Sequence, residues 1–247
     1  MAPAHPTAKR LNSIWVCTLA GTDMKRMNGR RVVITQTSAF MGKDLIELFG
    51  AEGADLLADD RDLIVPGAAE ALIAEAGEVD VLVANLAAEQ PRTSVLDTDD
   101  AIFRAMYEAM VYPLHRLVRA VLPQMIARRR GKIVVMGSAS GLKGMPNYSA
   151  YGSARGAQLA YVQDVGTEVA PHNVQVNAIA QTFVENPTYF PPSYQATAEF
   201  KERIKGAPLG RLAHGWESAA LALFLAGDES DFFVGQVFPF SGGWVTR

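Results

Sequence analysis

The sequence predicts a three-layer α/β fold, a doubly wound parallel sheet in a single domain. Three observations carry this reading. From residue 30 onward, short apolar runs alternate with longer stretches of helical periodicity. Val79–Ala84 is apolar but for Asp80 near its start, close to the pattern of a parallel strand covered on both faces. No internal repeat and no linker divides the chain, and 247 residues are ample for one core.

The elements follow in order. Arg31–Thr35 reads as the first strand and Phe40–Glu52 as the helix after it. Gly53 breaks that helix before a second strand, Ala54–Ala58; Gly67–Ala76 is helical, and Val79–Ala84 is the third strand. Thr98–Arg129 is a long helical stretch in which Pro113 and Pro123 are expected to mark kinks or breaks. The basic run Arg128-Arg129-Arg130 suits a helix C-terminus. Lys132–Met136 is a strand, Ser149–Ala170 a helix ended by Pro171-His172-Asn173, and Val174–Ile179 a strand. Trp216–Ala226 and Val234–Phe240 supply the last helix and strand. Strands separated by helices imply βαβ units. Gln181–Pro208 breaks the rhythm, with prolines at 187, 191, 192 and 208 and several aromatics. A connection that long, at a strand's carboxyl end, is expected to be the lid of a site.

Composition excludes several classes. The net charge of −3 gives no electrostatic footprint for nucleic acid. No apolar run reaches the ~18 residues of a membrane span. Cys17 is the only cysteine, so no internal disulfide can form, which suits a reducing, cytoplasmic setting. His115, His172 and His214 lack ligand-like spacing, and no metal site is expected. Residues 1–28 carry Pro, Ala, Thr and basic residues around the short apolar patch Ile14-Trp15-Val16-Cys17. They read as a disordered tail, or as a segment ahead of an alternative start at Met24 or Met27. The patch is too short and its flanks too poor for a leader peptide.

The candidate chemistry lies in three residues. Ser138 follows the strand Lys132–Met136 at its carboxyl end, where open α/β sheets bind ligands. Tyr151 and Arg155 are spaced i, i+4 and share one helix face. A guanidinium beside a phenol favours the phenolate, which can then act as a general base. A serine hydroxyl can hold a substrate oxygen in place. A second feature is TQTSAFMG, residues 35–42, in which the turn after the first strand holds a phenylalanine, Phe40, instead of a run of glycines.

The stretch GSASGLKGMPNYSAYGSAR, with Asn85 after the third strand, NVQVNAI at 173–179, PLGRL at 208–212 and GQVFPFSGG at 235–243, resembles the short-chain dehydrogenase/reductase superfamily. The resemblance covers about residues 30–244 and implies a Rossmann-like fold for residues 29–247. The departures matter as much. Arg155 stands where those dehydrogenases carry a lysine that holds the nicotinamide ribose. Their glycine turn TGxxxGxG reads TQTSAFMG here, without two of its three glycines. Their helix asparagine falls near Met110, and the aspartate of their DGG is Ser241. A Ser–Tyr–Arg set with an aromatic residue in the old nucleotide turn is similar to the halohydrin dehalogenases of this superfamily.

That resemblance implies closure of vicinal haloalcohols to epoxides without a cofactor. Ser138, Tyr151 and Arg155 would be catalytic. Phe40, Gln181, Thr182, Phe183, Val184, Tyr189 and Phe190 would bind halide and substrate, with Phe40 either a pocket wall or packing under the first helix. The implied partners are haloalcohols, epoxides and halide, cyanide, azide or nitrite anions, and the implied assembly is a homotetramer. Asn85 could serve only to stabilise the strand end. Two alternatives stay open: a divergent NAD(P)-dependent reductase, with Asp59 or Asp60 on a ribose hydroxyl, and a catalytically inactive binding member of the superfamily.

Overall fold

The computed structural model describes residues 8–11, 14–17 and 25–246. Most of the segment read as a tail or alternative start lies outside the described residues; within it, β1 (Ala8–Leu11) and β2 (Ile14–Cys17) pair antiparallel. The remaining strands form one parallel sheet: β3 (Arg31–Thr35), β4 (Asp55–Asp59), β5 (Val81–Ala84), β6 (Gly131–Ser138), β7 (Val174–Gln181) and β8 (Val237–Phe240), in the order β4-β3-β5-β6-β7-β8. The order reverses beside β3, which opens a crevice at the carboxyl edge of the sheet.

The central strands β3, β5, β6 and β7 are buried on both faces because helices cover both. α2 (Ala68–Ala76), α3 (Asp100–Arg128) and α4 (Ser149–Val169) pack on one face, with Leu72, Leu117, Val121 and Leu159 against Val33, Leu82 and Ile133. α1 (Gly42–Ala51) and α7 (Gly215–Ala226) pack on the other, with Leu45, Phe49 and Leu223 against Ile34, Val83 and Val134. Each such side chain contributes about 1.5–3 kcal/mol on leaving water, so the sheet is a rigid platform for whatever its loops carry.

Three details differ from the sequence-based expectation. α3 runs unbroken from Asp100 to Arg128, so Pro113 and Pro123 do not divide it. β6 and β7 each extend two residues further than their apolar runs, because they pair in register to Ser138↔Gln181. Ser138 is therefore the last residue of a strand, not the first of a loop. The long connection after β7 contains two short helices, α5 (Pro192–Gln195) and α6 (Ala198–Arg203). It has its own apolar cluster of Phe183, Phe190, Phe200 and Leu212, with Trp244 against it. Among the described residues no helix is long and apolar enough to cross a membrane.

Candidate active site

Four chain segments meet at the carboxyl edge of the sheet: the turn after β3, the residues after β5, the end of β6 with α4 behind it, and the connection after β7. Between them lies a cavity of about 560 Å³, counting the solvent at its mouth, and Ser138, Tyr151 and Arg155 all line it. α4 presents Tyr151 and Arg155 on one face, and both are buried. Arg155 Nε donates to the Tyr151 hydroxyl oxygen at 3.0 Å. Its Nη1 donates to Leu86 O at 2.8 Å, Gln158 Oε1 at 2.9 Å and Met136 O at 3.3 Å. The guanidinium is thus fixed by acceptors from β6, from the residues after β5 and from α4 itself. Gln158 is held in turn by Met110 O at 2.9 Å.

This surrounding sets the acidity of Tyr151. Burial pushes its phenol up, but the adjacent Arg155 charge and hydrogen bonds from Tyr189 and Arg155 outweigh burial, and the net shift is downward. Burial likewise works against the Arg155 cation, and Tyr151 more than offsets it. Tyr189 behaves oppositely: burial and the neighbouring Tyr151 hold its phenol well above the usual range. Tyr151 is accordingly the phenol that ionises. Ser138 turns its Oγ to Ser140 Oγ at 2.7 Å and accepts a longer bond from Ser140 N at 3.3 Å, so its rotamer is set by the first turn after β6.

The turn after β3 is stiff. Gln36 and Phe40 both hold left-handed backbone, with φ of 49° and 51°. Such a conformation costs a side-chain-bearing residue about 1–2 kcal/mol, and each is held by a partner. Gln36 clamps Ala87, accepting its N–H at 2.8 Å and donating to its carbonyl at 3.3 Å. The Phe40 ring lies 5.4 Å from that of Tyr189. Asn85 Nδ2 donates to Gln36 O at 2.9 Å and Ala39 O at 3.2 Å, so it stabilises the turn as well as lining the cavity. Asp60 closes the outer side, accepting from Thr37 Oγ1 at 2.8 Å, Ser38 N at 2.8 Å and Ser38 Oγ at 3.0 Å. Asp59 is engaged by Arg61 Nε at 2.5 Å.

The connection after β7 forms the remaining wall, and Gln181, Thr182, Phe183, Val184, Tyr189 and Phe190 all line the cavity. Gln181 Oε1 accepts from Ser218 Oγ at 2.6 Å, and Thr182 N donates to Phe240 O at 3.0 Å. Phe183 is left-handed at φ 54°, and Val184 bridges to Ala213 through the flanking residues. The backbone N–H groups of Phe183 and Val184 have no acceptor among the described residues. Tyr189 donates to Ala88 O at 2.6 Å and lies 3.4 Å from the Tyr151 hydroxyl, which ties the lid to the base of the site.

The sequence matches the family described as enoyl-(acyl carrier protein) reductase over residues 23–245. The chain belongs to the short-chain dehydrogenase/reductase superfamily. A 2-keto-3-deoxy-L-fuconate dehydrogenase of Xanthomonas campestris pv. campestris is 32% identical over 90% of this chain and 82% of its own length. A 3-oxoacyl-[acyl-carrier-protein] reductase of Salmonella typhimurium is 29% identical over 87% of each chain. Among solved structures, a "Dehalogenation enzyme" superposes with a TM-score of 0.83 at 32% identity, covering 90% of this chain and all 100% of that one. An oxidoreductase of Burkholderia thailandensis superposes with a TM-score of 0.79 at 27% identity, over 87% of this chain and 92% of its own.

Dehydrogenases of the superfamily bind a nicotinamide dinucleotide in this crevice, and the residues here do not fit one. Gln36 and Phe40 keep the backbone shape of the missing glycines but add side chains where a pyrophosphate needs close backbone approach. The turn's outward donors, Thr37 and Ser38, are taken by the Asp60 carboxylate. Hydrogen bonds from Ser38 and Thr37 outweigh the burial of Asp60 and hold it below the usual carboxylate range, so those donors stay engaged and are not free for a phosphate. Arg155 Nε and Nη1 are committed to four protein acceptors.

The cavity also takes residues that sequence reasoning did not single out. Gln90, Asn186 and Arg203 line it. Asn186 accepts from Tyr189 N at 2.8 Å and Thr188 N at 3.1 Å, a local turn that the Asn-Pro pair signals. Nothing in the local sequence signals Gln90 or Arg203.

Proposed function

We propose that the protein is a cofactor-independent carbon–halogen lyase, a halohydrin dehalogenase. It closes vicinal haloalcohols to epoxides and releases halide and a proton. The observation that carries this reading is the buried Arg155–Tyr151 pair, with guanidinium Nε 3.0 Å from the phenol oxygen. It favours the Tyr151 phenolate, an available general base, in a cavity whose nucleotide turn is filled. The similarity to a structure named for dehalogenation supports it.

In this reading Ser138 and Tyr151 bind the substrate hydroxyl. The Tyr151 phenolate takes its proton, and the alkoxide attacks the neighbouring carbon from the side opposite the halogen. A carbon–oxygen bond forms, the carbon–halogen bond breaks, and halide departs with the bonding pair. No hydride moves. Because the attack is intramolecular, holding the substrate in the reactive conformer supplies much of the acceleration. The N–H groups of Phe183 and Val184 and the rim of Phe40 suit a large, weakly hydrated anion. Gln181, Thr182, Tyr189 and Phe190 complete that pocket. Run backward, cyanide, azide or nitrite in the halide pocket opens an epoxide. We place the enzyme in the cytoplasm as a homotetramer; the exposed Phe103 and Tyr112 on α3 are apolar surface that subunit contact would cover.

A second reading, an NAD(P)-dependent reductase, draws on the names of the sequence relatives and on a cavity of about 680 Å³ beside Asp60, lined by Gln36, Leu63 and Pro113. Halide release separates the two. The wild type should liberate chloride from 1,3-dichloro-2-propanol with no nucleotide added, and Tyr151→Phe should lower that rate by about a thousandfold or more, as expected on losing a general base. No chloride release, together with NADPH-dependent carbonyl reduction, overturns the dehalogenase reading.

A further inference from the structure

Arg203 brings a second guanidinium to the same cavity, from the lid. Its surroundings differ from those of Arg155. The guanidinium carbon lies over the Phe190 ring, 5.5 Å from its centroid. Among the described residues its hydrogen bonds are two long ones, Nη1 to Tyr194 Oη and Nη2 to Tyr148 Oη, both 3.4 Å. The two phenols have nearer acceptors of their own, Gln90 Oε1 at 2.7 Å for Tyr148 and Glu199 Oε1 at 3.1 Å for Tyr194. Glu199 lies one turn back on α6 yet reaches Tyr194 instead of the guanidinium. Among the described residues no carboxylate stands within ion-pair distance of Arg203.

A guanidinium has five N–H donors in a rigid fork matched to two oxygens in a plane. Here the fork is half-buried, packed over an aromatic ring and weakly engaged, in a cavity whose other cation already serves four acceptors through Nε and Nη1. The Tyr148 ring stands edge-on to that of Tyr151 at 6.1 Å, so the Arg203 fork lies one aromatic ring away from the reacting phenol.

We infer that Arg203 binds a carboxylate on the substrate, so that the preferred haloalcohol is a short-chain halohydroxy acid. This inference rests on the dehalogenase reading for the reaction but not for the anion site itself. The hydroxyl lies at Ser138 and Tyr151, and the carboxylate lies in the Arg203 fork. The carboxylate is a spectator: the proton goes to Tyr151, the carbon–oxygen bond forms and chloride leaves, as for a neutral substrate.

The test compares kcat/KM for 4-chloro-3-hydroxybutanoate and for neutral 1,3-dichloro-2-propanol. The wild type should favour the acid. Arg203→Met, which keeps the apolar stem over Phe190, should reduce the acid-to-neutral ratio about tenfold or more, the worth of one charge-assisted bond. Arg203→Lys should retain part of the ratio, since it keeps the charge and loses the fork. An unchanged ratio with equal loss on both substrates overturns the inference and makes Arg203 a packing residue of the lid. Calorimetric binding of unreactive 3-hydroxybutanoate is measured in parallel. If neither substrate releases chloride, the dehalogenase reading fails, and the anion site stands or falls on whether that binding is present in the wild type and lost in Arg203→Met.

Discussion

Tyr151 meets three groups with different demands. Arg155 stabilises its anion, burial opposes it, and Tyr189 can either donate to it or hold the Ala88 carbonyl. The 2.6 Å bond to Ala88 O against 3.4 Å to Tyr151 says that Tyr189 serves the carbonyl while Tyr151 is protonated. Once Tyr151 is a phenolate, the balance tips and the Tyr189 proton gains by turning to it. In the proposed reaction the working form is the phenolate, so kcat/KM for ring closure should rise with pH and level off below pH 10, the ordinary phenol value. Tyr189→Phe removes a hydrogen bond that favours the anion, so the rising limb should move to higher pH, by on the order of one unit. A pH–rate profile checks this, and an unmoved limb removes Tyr189 from the proton machinery. At this scale the sequence was legible where chemistry is local. Tyr151 and Arg155 are one helical turn apart, and the spacing alone puts them together. Arg203 is more than fifty residues from Tyr148 in sequence and meets it only because α6 packs through Phe190, so no pattern announces it.

The turn between β3 and α1 shows how an element keeps a shape after losing the residues that made it easy. Gln36 and Phe40 retain φ values that glycine would take without strain. The third glycine, Gly42, is retained for a different reason: a Cβ there would lie 2.2 Å from the Thr37 carbonyl oxygen, inside the body of the turn. Gly42→Ala should therefore destabilise the fold by about 2–3 kcal/mol, because backbone, not a flexible side chain, must give way. A thermal melt should fall by roughly 4–12 °C, taking 2–4 °C per kcal/mol for a chain of this size. A melt within one degree of wild type would show that the turn is softer than its hydrogen bonds imply. The helix boundaries were readable from periodicity to within about two residues. The extra residues of β6 and β7 were not, because they are ordered by pairing with each other and Ser138 and Gln181 look like loop in isolation. The continuity of α3 across Pro113 and Pro123 is likewise a tertiary result, with both prolines held in a helix packed on α2 and α4.

For the whole molecule, the sheet order places every functional loop at one edge, beside the point where the winding reverses. The superfamily fold was legible in full from alternating strands and helices, yet the fold alone predicts a nucleotide. What argues against one is spread over three elements: Phe40 and Gln36 in the turn after β3, Asp60 after β4, and Arg155 on α4. Asp60 is hydrogen-bonded to the turn through Thr37 and Ser38, but neither Phe40 nor Gln36 holds Asp60 or Arg155 in place, so removing the ring leaves the others as they are. NADPH at 1 mM should accordingly raise the melting temperature of the wild type by less than about 1.6 °C, since a ligand that binds weaker than its concentration adds less than about 0.4 kcal/mol of stability. Phe40→Gly alone should not restore binding, because the Asp60 carboxylate still takes the Thr37 and Ser38 donors. If Phe40→Gly did bind NADPH at micromolar concentration, the ring alone would be the barrier. Asp60 and Arg155 would then be tolerated by a dinucleotide, and the crevice would have to be read as a cofactor site behind a single plug.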